Sequence, residues 1–490
     1  MPVWAGPPWD VARLKPNTRE FNKGAAVAIG DEKIQRSLLG LYEGFHKSRE
    51  TAAADTPGWE ELRERASRVK THTIENLDRY LELFEQRVTE MGGIVRFAAD
   101  ADAANRYVLD LARDKGVRTV VKSKSMVSEE MGLNERLGEA GIESVETDLG
   151  EYVIQLAEEA PFHIVAPAIH KDRYDVSELF HRRLGTERIE DIQELGRQTR
   201  RQLRDKFIIA DMGITGANFM VAETGTLVLV TNEGNGRMST SMPRIHVALA
   251  GMERVVPTME DMGMFLRLLI RSATGQRISS YVTLVNGVRR PTDEDGPEEF
   301  HIVIVDNGRS RLLADPELRE ALNCIRCGAC LNACPVYRKV GGHSYGYVYP
   351  GPIGAIVTPM LTGIGDAKDL PYASSLCGAC REACPVKINI PRMLLTLRRD
   401  LAEGSDYTDR RSAPLLEGAA FRVWRWLFGD NRLLGLALRI GRLIQMPLVR
   451  NGSIRWLPSP LSGWTRHRTL RPLPARSFRN RWSSYLRDEE

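Results

Sequence analysis

The chain is poor in cysteine, with seven in 490 residues. An odd count at that density excludes a disulfide-stapled secreted scaffold, and a reducing compartment follows. No apolar run reaches the ~18 residues needed to cross a bilayer. The opening Met-Pro-Val-Trp-Ala-Gly-Pro-Pro has no basic region followed by an apolar core, so export and organelle import are not indicated and a soluble, cytoplasmic protein is expected. No Gly-x-Gly-x-x-Gly follows a strand-like stretch, and Gly213-x-x-Gly216 is not that motif, so there is no flavin or nicotinamide fingerprint. Lysine is missing from Arg410 to Glu490, where sixteen arginines face five acidic residues. That tail carries +11 of a whole-chain charge of +4, leaving about −7 elsewhere. With a mildly acidic body and no recognisable nucleic-acid module, nucleic acid is excluded as a partner.

What remains is ordinary: 42% hydrophobic, 27% charged, and long enough for about two or three domains of roughly 150 residues. The cysteines are not scattered. Cys324-Ile-Arg-Cys327-Gly-Ala-Cys330-Leu-Asn-Ala-Cys334-Pro335 is the C-x2-C-x2-C-x3-C-P pattern of cluster-binding ferredoxins, and Cys377-Gly-Ala-Cys380-Arg-Glu-Ala-Cys384-Pro385 answers it. Two-residue gaps let the backbone curl around an iron–sulfur cube with N–H groups aimed at sulfur, and the proline redirects the chain. Crossing over the fourth ligands gives a first site of Cys324, Cys327, Cys330 and Cys384, and a second of Cys334, Cys377 and Cys380. Both are expected to be four-iron clusters, but the second has three thiolates. Its missing cysteine would fall at Ser374, so it holds either a three-iron cluster or a cube whose odd iron is bound by Ser374, water or a partner's group. Four-cysteine zinc is the competing reading; the third cysteine two residues on and the closing prolines favour clusters.

Taken in order, residues from about Phe21 to Met91 read as helices, with Gly92-Gly93 as the stop. From Ile94 strands and helices alternate. Ile94–Phe97, Arg118–Val121, Ile142–Thr147 and His163–Ala166 read as strands, with helices through Ala103–Ala112 and through Glu130, Leu133 and Leu137. This predicts an α/β sheet, mostly parallel in its first half. Thr226–Val230, Arg244–Leu249, Ser280–Leu284 and His301–Val305 are further strands, and the domain closes near Gly308. Open α/β sheets bind ligands beyond the carboxyl ends of their strands. The loops read there are Lys122-Ser-Lys124-Ser-Met126, Glu146–Glu151 and Asp211–Asn218, with Ala222-Glu223-Thr-Gly225 and Asn232–Arg237 as a second lining. Lys122 and Lys124 could hold a carboxylate or phosphate there, with Glu223 as a third candidate; ordinary capped turns would read the same way.

Together these runs, with Pro167-Ala-Ile-His-Lys171 and Thr215-Gly-Ala217, resemble the lactate-utilisation protein B family over nearly the whole chain. The family is the iron–sulfur subunit of a three-component bacterial L-lactate oxidation system. The resemblance implies an α/β lactate-utilisation domain similar to sugar-phosphate isomerases and coenzyme A transferases, and an α-helical ferredoxin domain like those of succinate dehydrogenase-type subunits. It implies partners in the other subunits of that system. Expected boundaries are an N-terminal helical arm over 1–69, the α/β domain over 70–308, the two-cluster ferredoxin domain over 309–402 and an Arg/Trp-rich extension over 403–490.

Between the cysteine runs, the glycine- and tyrosine-rich Val336–Pro352 reads as a loop laid over the clusters or a partner. His343 reads there as a surface residue or, less well, a ligand. Ile388–Leu401 is a helix with Pro391 in its first turn. Phe421–Ile444 reads as one basic amphipathic helix, with Arg425, Arg432 and Arg439 on one side. It would dock on a membrane surface at the inner face, on a partner, or on its own ferredoxin domain. The expectation is an electron-transfer component rather than a complete enzyme. The alternative is a stand-alone isomerase or transferase on the α/β domain, with Glu223 as nucleophile.

Overall fold

The computed structural model describes residues 20–404, 415–459, 461–466, 468–478, 481, 482 and 485, and expectations for all other residues lie outside it. The chain divides into two compact units, one up to Ser412 and one from Ala413.

The first unit is built on ten strands: β1 (Ile94–Ala98), β2 (Thr119–Lys122), β3 (Glu143–Glu146), β4 (Met212–Thr215), β5 (Phe219–Val221), β6 (Thr226–Thr231), β7 (Ile245–Gly251), β8 (Val255–Val256), β9 (Tyr281–Val285) and β10 (Glu299–Val305). Six form one sheet in the order β1-β10-β7-β4-β2-β3, parallel throughout. Every residue of β7 is buried, as its near-continuous apolar text requires of a strand covered on both faces. A smaller sheet, β8-β5-β6-β9, is mixed. The α/β class expected from the alternation holds. The parallel pairing is not confined to the first half, however, since β7 and β10 take central places.

Three local expectations need correction. His163–Ala166 forms bends, not a strand, because the His163 Nδ1 accepts the N–H groups of Val165 (3.1 Å) and Ala166 (3.2 Å), so the backbone turns on the side chain instead of joining a ladder. Met212–Thr215, read as loop, is β4 in the middle of the sheet. Its Gly213 lets the helix Asn235–Ser241 lie close: a Cβ there would stand 1.8 Å from the Ser239 carbonyl oxygen. The helix expected through Glu130, Leu133 and Leu137 is broken by left-handed Gly132 into Met126–Met131 and Leu133–Glu139.

Helices Phe21–Gly30, Glu32–Leu41, Lys47–Ala54, Trp59–Glu75 and Leu77–Glu90 precede the sheet, ending at Gly92-Gly93 as expected. They clamp the cysteine segment as well as the sheet. Arg49 donates to the Ala383 carbonyl (3.0 Å), Arg63 to those of Glu382 (2.9 Å) and Cys384 (2.8 Å), and Lys70 to that of Glu253 (2.6 Å).

The cysteine segment is a set of short helices and turns, closed by the helix Ile390–Glu403 with Pro391 in its first turn and Met393, Leu394, Leu397 and Leu401 buried. The tyrosine-rich insert is not an overlying loop. Tyr345, Tyr347 and Tyr349 are core residues, and Gly351–Thr362 is a buried helix. His343 is likewise no surface residue; its Nε2 meets the Ala160 carbonyl (2.8 Å) and its ring packs edge-on against Phe162. Aromatic bulk this dense is buried because its area outweighs the glycine-rich backbone that carries it.

In the second unit the expected single helix is two, Leu415–Gly429 and Asn431–Gln445. Asp430 ends one and caps the other, accepting the N–H groups of Arg432 (2.6 Å) and Leu433 (3.1 Å). Arg425 is thereby on a different helix from Arg432 and Arg439. Beyond them, Val449–Arg450 pairs with Ser453–Ile454. Trp424, Trp426, Trp456 and Trp464 are exposed. No helix among the described residues is long and apolar enough to cross a membrane.

Candidate iron–sulfur centre and adjoining cavity

The two cysteine runs are one backbone motif repeated fifty positions apart. Arg326 and Leu376 both have positive φ (59° and 55°), as do Gly328 and Gly378 (76° and 87°). Helices Ala329–Ala333 and Ala379–Ala383 follow, and each ends at a cysteine with nearly the same dihedrals, φ −75° and ψ 120° at Cys334 and φ −70° and ψ 120° at Cys384. In the first run the Arg326 N–H donates to Cys324 Sγ (3.4 Å); in the second the Leu376 N–H donates to Ser374 Oγ (3.1 Å). Ser374 therefore stands where the repeat calls for its first cysteine, as the spacing implied.

Cys327, Cys330, Cys334, Cys380 and Cys384 are buried, Cys324 is half-buried and Cys377 is exposed. Burial, then the nearby sulfurs of Cys384 and Cys324, pushes the Cys327 thiol up. Cys330 is raised by burial and by Cys324, Cys327, Cys380 and Cys384. Cys384 is pushed up to about 11, and Cys380, beside Cys334 and Cys377, to about 12. Cys377 goes the other way, lowered by the Ala379 N–H and the Ser375 hydroxyl. Cys330 thus lies within electrostatic reach of Cys324, Cys327, Cys384 and Cys380, and Cys380 within reach of Cys334 and Cys377, while among the described residues no three His, Cys, Asp or Glu side chains close tightly enough to hold a single metal ion. Burial keeps the Cys327, Cys330, Cys334, Cys380 and Cys384 thiols protonated by themselves. Iron, which binds thiolate and displaces its proton, fits such a donor set, and the N–H groups of Arg326, Tyr337 and Ile388, each 3.4 Å from a sulfur, are the donors that stabilise it.

A buried ion network joins this segment to the sheet. Arg309 holds Glu130 through two nitrogens (2.8 and 2.9 Å) and Glu253 through Nε (2.8 Å), Tyr349 donates to Glu130 (2.6 Å), and Arg326 approaches Glu253 (3.5 Å). Burial opposes the charge on Glu253, but Arg309, Arg326 and Arg254 prevail and hold its carboxyl at about 2.

Beyond the carboxyl ends of β2, β3, β4 and β7 lies a cavity of about 720 Å³. Lys124, Arg254, Arg326 and Cys327 are among its lining, so one wall belongs to the α/β domain and another to the cysteine segment. Of the three residues expected to form a ligand site, Lys124 alone lines it. Lys122 is fully buried to one side, paired with Glu146 (2.5 Å) and Glu129 (3.4 Å) and bonded to Asn134 (2.9 Å), a structural support of the loop that carries Lys124. Glu223 is exposed and accepts the Met259 N–H (2.9 Å) at the start of the helix Met259–Thr274. Arg254 and Arg326 escaped the sequence reading. Arg254 follows a strand as an unremarkable arginine, and Arg326 looks like spacer between two cysteines; only the fold brings them together.

A cluster-binding double motif against an α/β domain with a strand-end cavity defines an iron–sulfur protein, and the comparisons give both halves. Residues 81–305 match the LUD domain and 320–388 the 4Fe-4S dicluster domain. The chain is 44% identical over 96% of its length to lactate utilization protein B of Shouchella clausii, covering 97% of that protein. It is also 44% identical over 94% to that of Oceanobacillus iheyensis, of which it covers 95%, and 43% over 97% to that of Bacillus thuringiensis, of which it covers 98%. The chain belongs to the lactate utilization protein B family. A crystal structure of a DUF162 family protein from Deinococcus radiodurans is similar to 47% of this chain and covers 98% of that one, at 12% identity and a TM-score of 0.28, too slight a likeness to add weight.

Proposed function

We propose that this chain is the iron–sulfur electron-transfer component of a multi-subunit L-lactate oxidation system, acting with the other subunits rather than alone. The observation that carries it is the paired cradle: two cysteine runs on one repeated backbone, with Cys330 and Cys380 within electrostatic reach of each other. In this reading Cys324, Cys327, Cys330 and Cys384 hold a four-iron cluster, and Cys334, Cys377 and Cys380 hold the second, with Ser374 at or near its fourth position. Bound clusters supply one-electron storage; two side by side suit a two-electron oxidation delivered in single steps. The chain's own residues supply burial, N–H donors to sulfur and, in Arg49 and Arg63, positive charge behind the first site. Domain boundaries of 70–308 and 309–402 fit this division of labour.

The test is anaerobic iron and sulfide analysis of the purified protein and of Cys330→Ser and Cys377→Ser variants. Each variant is expected to lose one cluster's iron and keep the other's, and the isolated chain is expected not to oxidise lactate until its partners are added. A colourless protein with stoichiometric zinc, or robust lactate dehydrogenation by the chain alone, overturns the reading. The alternative, an isomerase or transferase using Glu223, is disfavoured by that carboxylate's place outside the cavity, capping a helix. The arginine-rich second unit is read as a docking element for a partner or an acidic membrane surface. Replacing Arg425, Arg432 and Arg439 with glutamine is then expected to weaken association at low salt, because exposed charge is screened over roughly 8–10 Å at moderate ionic strength.

A further inference from the structure

The strand-end cavity carries a feature that an electron-transfer scaffold does not need. Three cations line it, and four of their buried nitrogens lack a hydrogen-bond partner: Lys124 Nζ, Arg254 Nε, and Arg326 Nε and Nη1. Arg254 and Arg326 are 8% and 9% exposed, so water does not solvate them freely. Buried donors left empty are costly, more so when charged, and persist where something fills them. The acidic groups in and beside the cavity are differently placed, Asp172 of its lining being paired with Lys33 (2.9 Å). Asp148 already accepts the Glu151 N–H (3.2 Å) and Glu233 the Leu149 N–H (3.2 Å), and burial beside Asp148 pushes Glu233 up to about 7. Glu151 faces Lys124 only at 3.8 Å, and Glu253 takes Arg326 through a third nitrogen, Nη2, at 3.5 Å. The arginine ring-stacked on Tyr349, its centre 4.4 Å from the ring centroid, is thereby fixed in orientation with its remaining nitrogens open.

We propose that this cavity is a binding site for an organic anion, a carboxylate or phosphate held by Lys124, Arg254 and Arg326 against the wall that Cys327 shares with the first cluster. Guanidinium pairs with such groups bidentately, and three cations around one anion offset its desolvation. The volume exceeds what a three-carbon acid needs and falls in the range of larger ligands, and Phe45, Val153, Phe180 and Leu269 give the lining apolar stretches. The anion therefore carries an apolar body or shares the cavity with one. The site rests on the assignment of the first cluster to Cys324, Cys327, Cys330 and Cys384, because it is that cluster which an occupant would touch.

The experiment titrates the anaerobically purified, cluster-loaded protein with pyruvate, lactate, flavin mononucleotide and inorganic phosphate, reading heat by calorimetry and the reduced clusters by electron paramagnetic resonance. Saturable binding of a carboxylate or of the flavin phosphate is expected, with a shift in one cluster's signal and not the other's. The carboxylate and flavin arms tell a substrate-sized ligand from a cofactor-sized one. In Lys124→Gln and Arg254→Gln affinity is expected to fall about tenfold or more, with iron content and melting unchanged, as loss of one charge-assisted bond predicts. No saturable binding by any of the four, binding indifferent to both substitutions, or binding that moves neither cluster's signal overturns the proposal. Iron content that fails in the native protein would instead overturn the cluster assignment, so the two failures are distinguishable.

Discussion

In the first half of the fifty-residue repeat the left-handed position holds Arg326, buried, stacked on Tyr349 and tied through Glu253 to a network reaching the sheet; in the second it holds Leu376, half-buried and uncharged. The first half opens with Cys324, the second with Ser374, and Cys377 is exposed where its counterpart Cys327 is buried. Backbone geometry is common to both and its surroundings are not. A cradle's shape is thus encoded locally by a handful of dihedrals, while the charge, dryness and ligand count that set a cluster's behaviour come from what the rest of the chain packs around it.

That comparison can be broken at its heaviest point. Arg309→Leu leaves Glu130 and Glu253 buried without their cation, and loss of one partner from a buried pair costs about 3–5 kcal/mol. Urea unfolding should show that loss, and the first half should become as open as the second, with its cluster oxidised faster in air.

Acid should strike the same half next. His163, which bonds Asn332 (2.9 Å) beside the first cradle, is held at about 3 by burial against an ordinary 6.5. The unfolded chain takes up the proton below 6.5 and the folded one does not until about 3. Stability from this group is therefore full above pH 6.5 and falls as pH drops toward 3, by about 1.4 kcal/mol per pH unit. Urea midpoints at pH 6.5 and 5.5 check it, and His163→Gln should flatten the slope by about one proton.

Ser374→Cys should erase the ligand difference. Mild oxidation of the native protein is expected to raise a three-iron resonance signal from the second site, which the variant should not show. Equal, robust four-iron clusters in the native protein would remove the distinction. The smallest effect is electrostatic: Arg63→Gln should make the first cluster's potential more negative, on the order of 50 mV for loss of one half-screened charge, and leave the second nearly unmoved, read by redox titration.

How far the sequence goes divides along similar lines. The cysteine spacing and the displaced Ser374 were legible because a cradle is a local object, written in consecutive residues. The sheet was legible wherever β-rich text was uninterrupted; Met212–Thr215 was hidden by its glycine and His163–Ala166 misled because a side chain captured the backbone. Asp430 is an ordinary helix cap that the arginine periodicity obscured. Lys122, Lys124 and Glu223 illustrate the limit: three polar residues at strand ends look alike in sequence, and only tertiary packing sends one into an ion pair, one into the cavity and one to a helix terminus. Arg254 and Arg326, seventy-two positions apart, share a cavity for which no local pattern exists.

The hydrogen bonds from Arg49 and Arg63 to the carbonyls of Ala383 and Cys384 span 334 and 321 positions. A helix made early in synthesis thus waits for a loop made near the end before either is fixed, and contacts of such separation close slowly. On the cluster assignment proposed above, the ribosome must release most of the chain before Cys384 can complete the first cradle, metal delivery to that site comes late, and a nascent chain stalled before residue 384 would present three of its four thiols.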